Sequence, residues 1–169
     1  MTSMQVIGWF VMKKIFLIDT ENVGGNALSY AQRISIAEEN TEFILFFTNN
    51  CKTVRLSSLC ESSNYIRLKS IRCDCGKEML DKELLAYLAI HANVADVKYI
   101  VVTKDKEFST VVEFIKKYVP NVDVEFCKTV QAYYDRVIYT KYRKEVNICT
   151  KLTANLGKLI MNSDINGGG

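Results

Sequence analysis

Hydrophobic and polar positions along the chain alternate between two periods. Lys14 to Asp19 (KIFLID), Glu42 to Thr48 (EFILFFT) and Lys98 to Thr103 (KYIVVT) are apolar runs of strand length. Continuous runs of this kind suit strands buried on both faces, as in a parallel sheet. Tyr65 to Lys69 reads as a weaker third strand, and Val122 to Cys127 as a fifth. Between them the spacing turns helical. Asn26 to Glu39, Cys51 to Glu61, Lys77 to Ala92 and Lys106 to Tyr118 are the expected helices. In the last, Phe108, Val111, Val112, Ile115 and Val119 recur at helical spacing, and Pro120 closes it. Thr129 to Met161 reads as one or two further helices, and Asn166 to Gly169 as a frayed end. Strands alternating with helices predict a three-layer α/β sandwich with a mostly parallel five-stranded sheet, followed by a C-terminal helical segment. Such sheets bind ligands at the carboxyl ends of their strands.

Composition narrows the class. With 169 residues, 49% of them hydrophobic and 24% charged, the chain reads as a foldable globular domain and not as a disordered or collagen-like one. No apolar run reaches the ~18 residues a membrane span needs, so no membrane partner is expected. Met4 to Met12 is apolar, but Lys13 and Lys14 follow it, whereas a signal peptide carries its charge in front. Met12 reads as the natural start, with residues 1–11 an upstream extension. Without an export signal, the six cysteines read as free thiols of a cytoplasmic protein. Cys51, Cys60, Cys73 and Cys75 lack C-x-x-C spacing and a histidine in ligand register, which argues against zinc. Cys73 and Cys75 read as incidental or mildly redox-sensitive. Charge is uneven: residues 1–127 hold 15 Lys/Arg against 16 Asp/Glu, and residues 128–158 hold 7 against 2. The expected division is therefore an extension (1–11), an α/β domain (12–127) and a basic, tyrosine-rich helical segment (128–169). The basic segment suits either a polyanionic partner or a solvated helix face.

Three acids fall where the fold would gather them. Asp19 ends the first strand, and Asp105 follows the fourth by two residues. Asp81 shares a helix face with Leu84, Leu85 and Leu88, while Lys82 and Glu83 are expected to face solvent. Carboxylates meeting at one sheet edge repel one another, and a hard divalent cation bound through oxygen is the simplest compensation. Purely structural roles stay open for each: Asp105 as the N-cap of the following helix, Glu107 as a dipole partner, Asp19 as a turn opener and Asp81 as a salt-bridge partner.

Those residues carry a resemblance. LIDTENVGG (Leu17 to Gly25) resembles the opening strand and loop of the PIN-like and NYN group of nuclease domains, with Asp19 and Asn22 at the matching positions. GKEMLDKELLAYLA (Gly76 to Ala89) resembles the group's acid-bearing helix, matching Asp81. YIVVTKDKEFSTVVEF (Tyr99 to Phe114) resembles its strand, Ser/Thr-x-Asp and helix, matching Thr103 and Asp105. The resemblance covers residues 14 to about 127 and implies the PIN-like fold. It also implies metal-dependent hydrolysis of phosphodiester bonds, with Asp19, Asp81 and Asp105 holding Mg²⁺ or Mn²⁺. Asn22 would bond a ligand acid or the scissile phosphate, and Thr103 would orient Asp105 or a metal-bound water. Glu21, Glu107 and Ser109 are candidates for an outer shell. The chain departs from the group at Ser109, where many members carry a further aspartate, at Glu107, where a small residue is common, and at Lys82, where some carry a second acid. These departures imply one tightly held ion instead of two, or a degenerate site.

The expected partner is nucleic acid, RNA before DNA and single-stranded, and the resemblance also implies a homodimer. Lys104 and Lys106 flank Asp105. Arg136, Lys141, Arg143 and Lys144 interleave with Tyr133, Tyr134, Tyr139 and Tyr142, a pattern that suits either a single strand or a helix packing its tyrosines on the sheet. His91, ten residues after Asp81, reads as structural. The alternative to an endonuclease is a catalytically degenerate nucleic-acid-binding or scaffold module. A phospho-aspartate hydrolase would carry Asp-x-Asp where this chain has Asp19-Thr20-Glu21, and no P-loop motif occurs.

Overall fold

The computed structural model describes residues 12–23, 26–49, 66–76, 78–92 and 94–166, with side chains as far as residue 156. The expected extension, the helix at Cys51 to Glu61, the Gly24-Gly25 turn and the Tyr65 start of the third strand lie outside these residues. Five strands, β1 (Lys13–Asp19), β2 (Thr41–Phe47), β3 (Leu68–Arg72), β4 (Val97–Val102) and β5 (Asp123–Cys127), form one sheet in the order β3-β2-β1-β4-β5. Every neighbouring pair is parallel. The α/β class holds, and the sheet is wholly parallel.

β3 begins later than the Tyr65 to Lys69 expectation. Ile66 is buried but precedes the ladder, and pairing starts where Leu68 meets Phe43. This edge strand is half exposed, so it lacks the continuous apolar run that marks β1, β2 and β4.

Strand alternation divides the core. Ile15 and Leu17 of β1, Ile44 and Phe46 of β2 and Tyr99 and Val101 of β4 share one cluster. Leu80, Leu84 and Leu88 of α2 (Met79–His91) and Phe108 and Val112 of α3 (Glu107–Tyr118) cover it. Phe16 and Phe43 point the other way and stack at 4.7 Å. α1 (Ala27–Ala37) buries Ala27, Ala31 and Ile34, one stripe at i, i+4 and i+7. The alternation also sets the site: Asp19 continues the Ile15–Leu17 series, and Thr103 continues Tyr99–Val101.

The chain divides into two compact units between Ala132 and Tyr133. Past β5 the chain is helical: α4 (Val130–Tyr133), a π-helical stretch (Tyr134–Tyr139) and α5 (Thr140–Asn166). Thr140 Oγ1 donates to the Asp135 carbonyl at 3.0 Å, one wide turn back. Helices were expected here, but the π stretch was not, because nothing in a hydrophobic pattern distinguishes the two windings.

At the amino end of the sheet Glu42 is buried between two lysines. Lys13 lies at 2.7 Å and Lys69 at 2.5 Å, so one carboxylate on β2 holds a cation from each neighbouring strand. Burial alone would raise its pKa, but the bonds and charges of Lys13 and Lys69 outweigh that and hold it below 4.5. Glu42→Gln is expected to destabilise the fold by about 1–2 kcal/mol at neutral pH, because both lysines reach water once the charge is gone. The wild-type advantage is present above the ordinary carboxyl pKa and is lost as pH falls through the depressed one, which urea unfolding across acid pH measures.

Candidate active site

The strand order reverses beside β1: the chain runs outward through β2 and β3, then returns to β4 on the other side. Such a switch point leaves a crevice at the strands' carboxyl ends. Asp19 ends β1 there, and Thr103 follows β4. Both are fully buried. Asp19 Oδ1 accepts the backbone N–H groups of Glu21 at 3.1 Å and Asn22 at 3.2 Å. Its Oδ2 accepts Asn22 Nδ2 at 2.6 Å and the Thr103 hydroxyl at 2.7 Å. Thr103 Oγ1 in turn accepts the backbone N–H of Asp105 at 3.1 Å. One threonine thus links the acids that follow β1 and β4. Asn22 bonds an acid, one of its two expected roles.

α2 and α3 bring the remaining acids together. Glu78, Asp81, Lys82 and Leu85 face Asp105, Glu107, Phe108 and Val111 around a cleft of about 270 Å³. Four carboxylates, one lysine and three apolar side chains line it. Asp81 is half-buried here. Burial, and then the charges of Asp19, Asp105, Glu21 and Glu78, push its carboxyl from 3.8 up to about 6. Asp105 Oδ1 accepts the Glu107 N–H at 2.9 Å, so one of its oxygens also opens α3. Glu78 was not singled out from the sequence. It sits in the left-handed region at φ 60°, immediately before α2, a costly backbone state for a side-chain-bearing residue. No local pattern marks it, since left-handed positions are signalled by glycine or asparagine.

The other expected residues divide. Glu107 lines the cleft, whereas the Ser109 hydroxyl donates to the Lys106 carbonyl at 2.6 Å within the first turn of α3. Glu21 accepts the Thr48 hydroxyl. Lys104 and Lys106 are exposed beside Asp105. Glu83, expected to face solvent, reaches back instead to the Asp74 N–H at 2.9 Å, because the loop after β3 passes over that side of α2. In the second unit Arg136 lies 5.8 Å over the Tyr133 ring, and Lys141, Arg143 and Lys144 are exposed. Tyr133 is buried, whereas Tyr139 and Tyr142 are exposed. His91 stacks on Tyr87 at 4.0 Å, and its Nδ1 lies 2.8 Å from the Tyr87 carbonyl oxygen, a structural setting. Cys73 is buried, and burial with the neighbouring Glu83 carboxylate pushes its thiol up to about 12, which removes it as a redox or metal-binding thiolate.

The donor chemistry of the cleft fits a hard divalent cation. Its candidate ligands are oxygens only, and burial together with the neighbouring carboxylates raises Asp81. Among the described residues, no three carboxylate, imidazole or thiol groups form a ready-made set for one ion. Asp19 explains part of this: its four lone-pair sites are already taken.

A family model described as the PIN domain matches residues 13–123. This chain belongs to the PIN domain family. The match spans the whole α/β arrangement from β1 to the start of β5, and membership implies nuclease chemistry in general. It does not extend to the narrower NYN assignment. No curated protein and no solved structure matches the chain. The homodimer expectation draws no support from the family match.

Two measurements test this PIN domain's site. With metal chelated, stability is expected to fall as pH rises from about 4 to 6, because the folded state holds the Asp81 proton more tightly than the unfolded chain. Asp81→Asn should flatten that slope and gain about 1 kcal/mol at neutral pH, after allowance for solvent screening at a partly exposed group. Iodoacetamide on the folded protein should label exposed Cys75 and spare Cys73, with both reacting after denaturation; peptide mass mapping reads the difference.

Proposed function

We propose that this PIN domain is a Mg²⁺- or Mn²⁺-dependent endonuclease that hydrolyses phosphodiester bonds in single-stranded RNA. The observation that carries the reading is the acidic cleft lined from α2 and α3, where burial and then the neighbouring carboxylates raise Asp81. Asp81 and Asp105 would hold the cation from α2 and from the loop after β4. Asp19 joins them only by giving up one of its hydrogen bonds. A bound ion of this kind supplies a water of lowered pKa and neutralises charge on the phosphate.

The chain's own residues divide the remaining work. Thr103 and Asn22 hold Asp19 fixed, which keeps the end of β1 against the loop that bears Asp105. Lys82, Lys104 and Lys106 are the cations near enough in sequence and place to meet substrate phosphates. Leu85, Phe108 and Val111 supply the apolar part of the cleft's lining. In the second unit Arg136, Lys141, Arg143 and Lys144 offer basic side chains to single-stranded nucleic acid.

The saturation of Asp19 favours a second reading, a module that binds nucleic acid but no longer cuts it. Cleavage of end-labelled single-stranded RNA and DNA with Mn²⁺, Mg²⁺ or EDTA separates the two. The endonuclease reading expects metal-dependent RNA cleavage, reduced about 100-fold or more in Asp105→Asn. Retained RNA binding with no cleavage in any metal would leave the binding module.

A further inference from the structure

α3 carries more on its cleft side than the cleft uses. Glu107, Val111, Phe114 and Tyr118 succeed one another at steps of four, three and four residues, which sets them in one stripe along the helix. Glu107 and Val111 line the cleft. Phe114 and Tyr118 continue the stripe about 10 Å and about 16 Å beyond Glu107 along the axis. Phe108 and Val112 already bury the inner side of α3. The two rings stay 61% and 60% exposed, and among the described residues of the sheet unit no other aromatic ring is exposed. Their centroids lie 4.6 Å apart at a tilt of 42°. Lys117 Nζ lies 5.1 Å from the Tyr118 centroid, whereas Lys116 is held by Glu113 at 3.0 Å.

We propose that Phe114 and Tyr118 form a stacking platform for unpaired bases of a nucleic-acid strand bound at the cleft, with Lys117 meeting a phosphate beside the stacked base. The inference rests on the nuclease reading above and deepens it. Continuity of the stripe selects the occupant: a strand held at the carboxylates and leaving along α3 reaches both rings. Ring faces beside a cation suit a single strand, whose bases stack on aromatic side chains while its phosphates meet ammonium groups. Bases within a duplex stack on one another and offer only their edges, so the platform favours a single strand over a double one. Area argues against a second copy of the chain. Two rings about three-fifths exposed offer roughly 250 Å². A stable dimer buries ~800 Å² per partner. Thr110, Glu113 and Lys117 are exposed polar neighbours on the same helix, so the apolar patch does not widen.

Fluorescence anisotropy of the full chain with two labelled RNA strands of equal length and charge, one bearing bases and one abasic, tests the platform. Low salt and EDTA favour binding and keep both strands intact. The wild type should bind the base-bearing strand more tightly. Phe114→Ala combined with Tyr118→Ala should weaken that binding about tenfold or more and leave abasic binding within about twofold. Phe114→Tyr combined with Tyr118→Phe should restore it, since both rings return. Lys117→Ala should weaken both strands and reduce the salt dependence. The urea midpoint of the double alanine variant should stay near that of the wild type, because both rings are exposed. No loss on either strand, or an equal loss on both, overturns the platform and leaves the nuclease reading standing. A wild type that binds neither strand overturns both. A clear fall in the urea midpoint, or a wild-type dimer that the alanine variant loses, means that protein covers the rings and overturns the platform.

Discussion

The site depends on one buried hydrogen bond, from the Thr103 hydroxyl to Asp19 Oδ2 at 2.7 Å. Both groups are shut away from water at the point where the sheet reverses its strand order. A buried carboxylate without partners is costly, and here four donors from two strand ends satisfy it. The same threonine oxygen accepts the Asp105 N–H, so the end of β1 and the start of α3 are registered through a single atom. With Asp19 spent on holding the crevice together, the acids turned toward the cleft are those on α2, α3 and the loop before α3.

A buried acid on β2 and a half-buried acid on α2 stand in opposite electrostatic settings. At the amino end Glu42 takes a lysine from each neighbouring strand, and its pKa falls. At the carboxyl end Asp81 is half-buried near four other carboxylates, and burial first and then their charges raise its pKa. The first arrangement stabilises the fold at neutral pH; the second costs stability and concentrates negative potential in an open cleft. Perturbed acids in a cleft mark a functional site more often than a structural one. Glu78, held in a left-handed backbone state at the same rim, adds local strain of the kind that persists where surrounding structure enforces it.

The second unit follows different physics. Its helix is basic, and its described side chains from Thr140 to Leu156 are exposed. Tyr139 and Tyr142 are exposed beside Arg143 and Lys144.

The sequence by itself determined the strand-and-helix order, because continuous apolar runs and helical spacing are local consequences of which faces are buried. β1, β2 and β4 were legible for that reason, and β3 was misplaced because a half-exposed edge strand has no such run. The motifs around Asp19, Asp81 and Asp105 were legible too, since each sits on a recognisable element end. Tertiary structure alone decided what those acids do. That Asp19 is saturated, that Glu78 joins the cleft, that Ser109 turns back to its own helix and that Glu83 pins a loop all follow from pairings between residues distant in sequence or from backbone angles that no pattern encodes. Burial and the proximity of like charges exist only once the strands have met, which is why the raised Asp81 and the compensated Glu42 belong to the fold and not to the string of residues.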